Sequence, residues 1–178
     1  MEITTGNLTT NREQWASIDG YLSYEISWWG RVRNATTGRI LKAGRSGSGY
    51  LTVALYREGK MKSHSVHVLV AREWVSNPDG KRCVDHMDND RHNNNWVNLR
   101  YATQAENNRN TKKHFDGSSV YKGVSYYKPT GKWMARIYTV GKTVFLGYFA
   151  NEREAGLAYN LAAVKYFKNF AKLNILED

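Results

Sequence analysis

The sequence is most constrained by one polar stretch near its middle, which begins Asp85-His86-Met87-Asp88 and continues through several asparagines to Asn108. It sets an acid beside an imidazole and then turns on small polar residues. Carboxylate and amide oxygens suit one magnesium ion, whose other positions are filled by water and substrate phosphate. A neighbouring neutral imidazole can take a proton from an attacking water. The stretch therefore predicts a hydrolytic metal site.

A helix is predicted directly after this stretch. Thr103 followed three residues later by Glu106 is the pattern of a capping box, so a helix should begin at Gln104. This helix would carry Asn107 on its first turns, facing the strand before the polar turn. Strand, turn and helix together predict a small ββα unit.

The run DHMDNDRHNNNWVNLRYATQAENNRN resembles the core of the His-Asn-His family of homing endonucleases, in the branch with asparagine as the last residue of the triad. The match covers residues 66–110. The resemblance implies that His86 is the general base and that Asn98 orients it through a hydrogen bond. It further implies that Asp85 and Asn107 hold a divalent metal, Mg²⁺, with Mn²⁺ as a substitute. The competing interpretation treats each of these residues as an ordinary turn or cap former.

The overall charge indicates the partner. The chain has a formal charge of +10 and a pI near 9.7, so an acidic partner is expected, nucleic acid first and an anionic membrane second. No apolar run is long enough to span a bilayer, and no secretory signal is recognisable at the N-terminus. The single cysteine, Cys83, excludes disulfides within the chain and a zinc site of paired thiolates. We expect a cytoplasmic protein in a phage, intron or bacterial context.

The segment before the polar stretch is rich in aromatic residues and glycine turns, which indicates short antiparallel strands. Its pattern W..I.GY...YEIS..GRVR, with a later GYL.V.L..EGK, resembles the modular unit often found ahead of homing nucleases. The resemblance covers residues 13–62 and implies a β-sheet platform that helps to place DNA. The alternative for each basic residue here is an ordinary solvated charge. The candidate phosphate contacts are Arg31, Arg33, Arg39, Lys42 and Arg45.

Between these regions, residues 66–75 are predicted to form a short helix whose apolar side covers the nuclease core. His67 on this helix is interpreted as a packed, hydrogen-bonded structural residue. The turn Asn77-Pro78-Asp79-Gly80 should follow before the catalytic strand.

The C-terminal part is separated by a polar linker and has a different composition. From Val120 the pattern predicts three strands with glycine turns, then a helix capped by Asn151. Strand alternation puts one set of side chains on the helix side and another on a free face. The helix-side set is Trp133, Ala135 and Ile137, and the free-face set is Lys132, Met134, Arg136 and Tyr138. The helix should pack through Ala155, Ala158, Tyr159, Ala162 and Tyr166.

YKGVSYYKPTGKWMARI, VFLGYFANEREAGLAYNLAAVKYF and AKLN resemble the plant ethylene-response-factor type of DNA-binding domain, the Apetala class. Residues 109–178 hold twelve Lys and Arg against five Asp and Glu, so the positive charge is concentrated where the resemblance implies binding. A β-ribbon fits a DNA major groove, and such charges give affinity with strong salt dependence. With Lys132 from the free face, the implied DNA-facing residues are Lys122, Ser125, Tyr127, Lys132, Arg136, Tyr138 and Phe145.

The sequence thus predicts an α+β protein in three parts. They are a β-rich N-terminal DNA-positioning module at 1–62, a ββα-metal nuclease core at 63–110, and, after a linker at 111–119, a three-stranded antiparallel sheet packed on one helix at 120–178. The predicted function is site-selective, metal-dependent cleavage of double-stranded DNA, as a nick or a double-strand break, leaving 5′-phosphate and 3′-hydroxyl. We expect a monomer on DNA, with a dimer as the alternative. The alternative function is a DNA-bound regulator with a decayed nuclease site, or an RNA-associated protein.

Overall fold

The computed structural model describes residues 12–111 and 117–176, and these form two compact units divided between Tyr101 and Ala102. The described residues form several small antiparallel sheets and few helices, so the predicted α+β class is confirmed. None of the helices in the described ranges is long and apolar enough to cross a membrane.

The first unit contains three small sheets, with strand orders β1-β2-β3, β4-β5-β6 and β7-β8. One helix, α1, follows directly after β6, and β8 ends one residue past the division. The elements are β1 (Trp15–Ile18), β2 (Tyr21–Ser27), β3 (Val32–Asn34), β4 (Gly44–Arg45), β5 (Leu51–Arg57), β6 (Lys60–Ser65), α1 (Val66–Trp74), β7 (Cys83–His86) and β8 (Leu99–Ala102).

The hairpin of β5 and β6 shows why these residues form strands. Val53 and Leu55 are buried while Ala54 is exposed, which is the alternation of a sheet with one covered face. Glu58 and Gly59 connect the strands with φ values of 51° and 73°, the left-handed pair that matches the twist of a tight hairpin. Glu58 and Gly59 therefore form the turn of a tight hairpin.

One hydrophobic core joins the segments on both sides of residue 62. It takes buried side chains from strands β1, β2, β3, β5 and β8 and from α1. The predicted helix over 66–75 is confirmed in α1, whose buried side packs into this core. The domain boundary between 62 and 63 stays a prediction, since the two segments share this core. The buried residues of this hydrophobic core are Ile18, Ile26, Val32, Val53, Leu55, Val66, Leu69, Val70 and Leu99.

The second unit is an antiparallel sheet of order β11-β10-β9 with one long helix packed on it. The helix begins where predicted, because the Asn151 side chain accepts a hydrogen bond from the backbone N–H of Glu154 at 2.8 Å. The elements are α2 (Gln104–Arg109), β9 (Val124–Tyr127), β10 (Lys132–Thr139), β11 (Lys142–Phe149) and α3 (Glu152–Phe167).

The buried side of α3 differs in one place from the prediction. Ala155, Tyr159 and Ala162 are buried as expected, but Tyr166 is 39% exposed and Phe167 is buried instead. Ala155, Tyr159, Ala163 and Phe167 are spaced by four residues and form one row along the helix. The predicted helix side ended at Tyr166, whereas the buried row ends one residue later, at Phe167.

Candidate active site

The candidate catalytic residues Asp85 and His86 end strand β7, and each is only 5% exposed. The chain then turns sharply, with Asn89 at φ 66°, and the backbone N–H of Met87 donates to the Asn98 carbonyl at 2.9 Å. The two side chains contact different neighbours, as adjacent residues on an extended strand do. The site is therefore built from both sides of β7.

The imidazole of His86 is held by an asparagine side chain. Its Nε2 lies 3.0 Å from Oδ1 of Asn94, which is 3% exposed. Because an amide oxygen only accepts hydrogen bonds, this contact puts the ring hydrogen on Nε2. The lone pair of the neutral ring is then on Nδ1. The geometry thus selects the tautomer that a general base at Nδ1 requires.

Asn98 has different contacts from those the sequence analysis gave it. Its Nδ2 donates to Oδ1 of Asp88 at 2.9 Å and to the Asn93 carbonyl at 2.8 Å, and its Oδ1 accepts the backbone N–H of Asp88 at 3.1 Å. The side chain thus holds the turn that follows His86. The hydrogen bond to His86 that was predicted for Asn98 is made by Asn94. The role of Asn98 as the residue that orients His86 stays a prediction.

The turn also settles the charge of Asp88. Burial alone would raise the pKa of this carboxyl group, but hydrogen bonds from the Asp90 N–H and from the Asn93 and Asn98 side chains lower it. Asp88 is therefore ionised at neutral pH and acts as the acceptor at the centre of the turn. Sequence reasoning assigned it to the turn alone.

Asn94 is itself placed by the front segment of the chain. A Cβ added to Gly30, which has φ 85°, would lie 2.7 Å from the Cβ of Asn94. Nearby, the backbone N–H of Trp96 donates to the Trp28 carbonyl at 2.8 Å. Only a glycine allows this close approach, so the β2–β3 turn forms one wall of the histidine site.

Asp85 is engaged by a basic residue of the neighbouring strand. Arg100 on β8 donates to Oδ2 of Asp85 from Nε at 2.8 Å and from a terminal nitrogen at 2.6 Å, and the Arg100 side chain is only 17% exposed. Both bonds go to one carboxylate oxygen, and such charge-assisted pairs fix orientation. The Arg100 contact could not be predicted from the sequence, because it depends on strand register.

A small aromatic cluster covers the other side of the imidazole. The ring centroid of His67 lies 5.1 Å from that of His86, and the Tyr50 ring lies 4.6 Å and 5.9 Å from the two histidines. Burial, and then the proximity of His86, lowers the pKa of His67 to about 4. His67 is packed as predicted, but its Nδ1 has no hydrogen-bond partner within the described residues.

The second candidate metal ligand, Asn107, is on α2 in the second unit. The helix begins at Gln104 behind a reciprocal capping box of Thr103 and Glu106, as predicted. The N–H of Asn107 donates to the Thr103 carbonyl at 3.0 Å, which places Asn107 in the first turn. Its pairing with Asp85 stays a prediction.

The residue types present fit magnesium better than zinc. Among the described residues no group of three or more His, Cys, Asp or Glu side chains could hold a metal. The two ligands predicted from the sequence, Asp85 and Asn107, would offer a carboxylate and an amide oxygen, which are both hard oxygen donors. A magnesium ion keeps several waters and phosphate oxygens and needs no more than this, whereas zinc sites use several His or Cys ligands.

Two of the basic residues predicted to contact DNA in the first unit are paired within the protein. Arg31 is bonded to Glu13, and Arg33 is bonded to Glu25 at 2.6 Å. The Arg33 guanidinium also lies 4.2 Å from the Trp15 ring centroid. Their charges are partly neutralised before any phosphate arrives. The other predicted residues of this surface, Arg39, Lys42 and Arg45, are exposed.

On the second unit, most of the predicted DNA-facing side chains share the open side of the sheet. Tyr138 is 67% exposed and Phe145 is 55% exposed. Tyr148, which the sequence analysis omitted, stacks on Tyr127 with centroids 5.3 Å apart and meets Phe145 edge-on at 5.0 Å. Tyr127, Lys132 and Arg136 are also exposed, and Ser125 is half-buried.

Lys122 departs from this set. Its ammonium group donates to the backbone carbonyls of Arg109 at 2.8 Å and Thr111 at 2.7 Å. Burial, and then the charge of Lys172, lowers the pKa of Lys122 to about 8. This side chain is half-buried and bonded to the end of α2, and its contact with DNA stays a prediction.

Comparison with known proteins shows what the parts of this chain resemble. Residues 64–109 match the profile of the HNH endonuclease family, and residues 13–56 match the NUMOD4 motif. The C-terminal region is similar to AP2-like proteins, including the ethylene-responsive transcription factor TOE2 of Arabidopsis thaliana, 42% identical over 59 residues, which are 33% of this chain and 12% of that protein. The three resemblances found in the sequence are confirmed.

Two relatives match the nuclease part. The DNA endonuclease I-HmuI of Bacillus phage SP01 is 36% identical over 98 residues, which are 54% of this chain and 56% of that enzyme. An uncharacterised HNH endonuclease of Acanthamoeba polyphaga mimivirus is 35% identical over 94 residues, which are 53% of this chain and 28% of that protein. A solved structure of DNA binding and cleavage by I-HmuI matches with a TM-score of 0.50 at 36% identity, over 55% of this chain and 56% of that one. The chain thus matches little more than half the length of the phage enzyme. It matches 28% of the mimivirus protein and 12% of the plant transcription factor TOE2.

Proposed function

We propose that this chain is a site-selective, divalent-metal-dependent DNA endonuclease of the HNH homing type. The observation that carries the proposal is the buried His86 imidazole, held at Nε2 by Asn94 beside an Asp85 carboxylate fixed by Arg100. The family match over residues 64–109 and the similarity to a phage DNA endonuclease support it.

The proposed reaction is hydrolysis of one phosphodiester bond. Nδ1 of His86 accepts a proton from a water as its oxygen bonds to phosphorus, and the bond from phosphorus to the 3′ oxygen breaks. The leaving oxygen is protonated by solvent, so the products carry a 5′-phosphate and a 3′-hydroxyl. Asp85 and Asn107 would hold Mg²⁺, or Mn²⁺ in its place, which when bound stabilises negative charge on the phosphate and the leaving oxygen. Arg100 holds the Asp85 carboxylate in one orientation through its ion pair.

Binding and chemistry are assigned to different parts of the chain. We assign 1–62 to DNA positioning, 63–110 to cleavage, and 120–178 to DNA binding through the open face of its sheet. Double-stranded DNA is the proposed substrate because a β-ribbon of this kind fits the major groove. One nuclease core per chain predicts a nick from a monomer.

The test is incubation of the purified full chain with a supercoiled plasmid library, with Mg²⁺, with Mn²⁺, and with EDTA. We expect nicked circles only when a divalent metal is present, and 5′-phosphate ends at the mapped positions. The His86→Ala variant is the matched control for a contaminating nuclease. Equal nicking by wild type and by His86→Ala would contradict the proposal, as would the absence of nicking with either metal.

A further inference from the structure

Helix α2, which carries Asn107, is too short to be stable by itself. It has six residues, none of which is buried, whereas isolated helices shorter than about twelve residues are marginal in water. The capping box satisfies its amino end. Contacts elsewhere must fix its carboxyl end and therefore the orientation of Asn107.

Lys122 supplies such a contact inside the second unit. Its ammonium group bonds two backbone carbonyls at the end of α2, those of Arg109 and Thr111. The last carbonyls of a helix lack partners within the helix and carry its negative dipole end, so a cation there is favourable. The Arg109 guanidinium adds a second tie, since it lies 5.0 Å from the ring centroid of the buried Phe167 on α3.

The backbone of Lys122 is itself held firmly. Its N–H donates to Oδ1 of Asn174 at 2.6 Å, and Nδ2 of Asn174 donates to its carbonyl at 3.1 Å. Asn174 is in turn bonded to Asn160 on α3, with its N–H donating to Oδ1 at 2.7 Å and its carbonyl accepting from Nδ2 at 2.9 Å. The chain of contacts therefore runs from α3 to the end of α2.

The next residue, Gly123, packs this segment closely against the sheet and α3. A Cβ on Gly123, which has φ 75°, would lie 2.1 Å from the Tyr159 ring. The Gly123 carbonyl also accepts the N–H of Arg136 on β10 at 2.8 Å. Lys122 is thus anchored to both the sheet and α3, so its side chain reaches α2 from a fixed point.

We propose that Lys122 is a positioning residue for Asn107. Lys122 connects α2, the helix that carries this proposed metal ligand, to the proposed DNA-binding sheet. The inference rests on the proposed function, and it gives the C-terminal unit a part in metal binding as well as in DNA binding. Metal binding by Asn107 and DNA binding by the sheet would then both draw on the second unit.

The test compares the full-chain variants Lys122→Met and Lys122→Arg with Lys142→Met, an exposed lysine at the β10–β11 turn. Methionine keeps the aliphatic length and removes the charge. We expect Lys122→Met to raise the half-saturating Mg²⁺ concentration for cleavage about tenfold, while the rate at saturating Mg²⁺ stays near wild type. Lys122→Arg should recover part of the loss, because a guanidinium can also donate to two carbonyls. Lys142→Met should match wild type.

Two further measurements separate this role from the alternatives. Amide hydrogen exchange at Asn107 and Asn110 should be faster in Lys122→Met than in wild type, whether or not the protein cleaves DNA. The salt slope of DNA binding should be unchanged. If Lys122 contacts a phosphate instead, the slope falls by about one with the Mg²⁺ dependence unaltered, and the proposal is wrong.

Unchanged exchange at these amides would also overturn it, even if wild type proves to be an active nuclease. Conversely, faster exchange in a chain that does not cut DNA would contradict the proposed function and leave the tie between Lys122 and α2 intact.

Discussion

The side chains assigned to chemistry and those assigned to DNA binding have opposite environments. In the first unit, Asp85, His86 and Asn94 are almost fully buried and hydrogen-bonded to other side chains. On the second unit, Tyr138 and Phe145 lie on an open sheet face and are more than half exposed. A catalytic group must be held in one geometry before the substrate arrives, whereas a binding surface has to remain accessible. Variants in the two regions should therefore affect different quantities.

The largest effect is expected from His86→Ala. Loss of the general base should slow the single-turnover cleavage rate by roughly 10²–10⁴, while DNA affinity stays near wild type. Melting temperature and cleavage are measured on the same preparation. If the rate falls only as far as the protein unfolds, His86 is a structural residue and the comparison fails.

Asn94→Ala tests how the base is held. It leaves Nε2 of His86 without its acceptor, which should cost about 1–2 kcal/mol, or roughly five- to thirtyfold in the single-turnover rate. Asn93→Ala is the matched control, because Asn93 is exposed and its side chain bonds Asp88 instead. A slower rate in Asn98→Ala together with a normal rate in Asn94→Ala would favour the sequence-based assignment of Asn98.

Acidification should destabilise the folded protein through the buried imidazole of His67. The pKa of His67 is near 4 in the folded protein against 6.5 as its ordinary value, so the unfolded chain binds more protons between these values. The free energy of unfolding should then fall as the pH is lowered from about 6.5 to 4, by about 1–2 kcal/mol from this residue. Urea unfolding of wild type and His67→Phe across this range measures it. An equal decrease in both proteins would exclude His67 as the cause.

The smallest effect is expected on the salt dependence of DNA binding, where an exposed arginine should differ from one paired with a carboxylate. Arg136→Gln should reduce the salt slope of DNA binding by about one and lower affinity several-fold at low salt. Arg33→Gln should leave the slope near wild type, because Glu25 already neutralises this guanidinium. Arg39→Gln is the control from the same unit, since Arg39 is exposed. Equal slopes for the Arg33 and Arg136 variants would remove the distinction between the two surfaces.

Local patterns predicted the elements well. The capping box at Thr103 and Glu106 placed the start of α2 at the correct residue, and Asn151 did the same for α3. Alternation on β10 identified Ala135 and Ile137 as the covered side of that strand. These features depend on neighbours within a few positions, so they can be read from sequence.

Tertiary partners were not predictable in the same way. Any of three consecutive asparagines, Asn93 to Asn95, could bond His86 on sequence grounds. The backbone course of the turn places Asn94 next to the ring. Arg100 reaches Asp85 through strand pairing, and Lys122 reaches α2 through a fold that sequence spacing does not describe. A lysine or arginine in the sequence does not show whether its side chain is already bonded to a carboxylate or a carbonyl of the folded protein.

The contact between Gly30 and Asn94 has a consequence for engineering. If the front segment positions DNA as proposed, it is a candidate for exchange between nucleases to change the target. Here, however, the β2–β3 turn lies so close to Asn94 that a side chain at position 30 would displace the residue that holds the base. A chimera that joins a different front segment to this core should retain activity only if it supplies glycine at that turn. Under the proposed function, a change of target and the rate of cleavage are therefore linked at the backbone of Gly30.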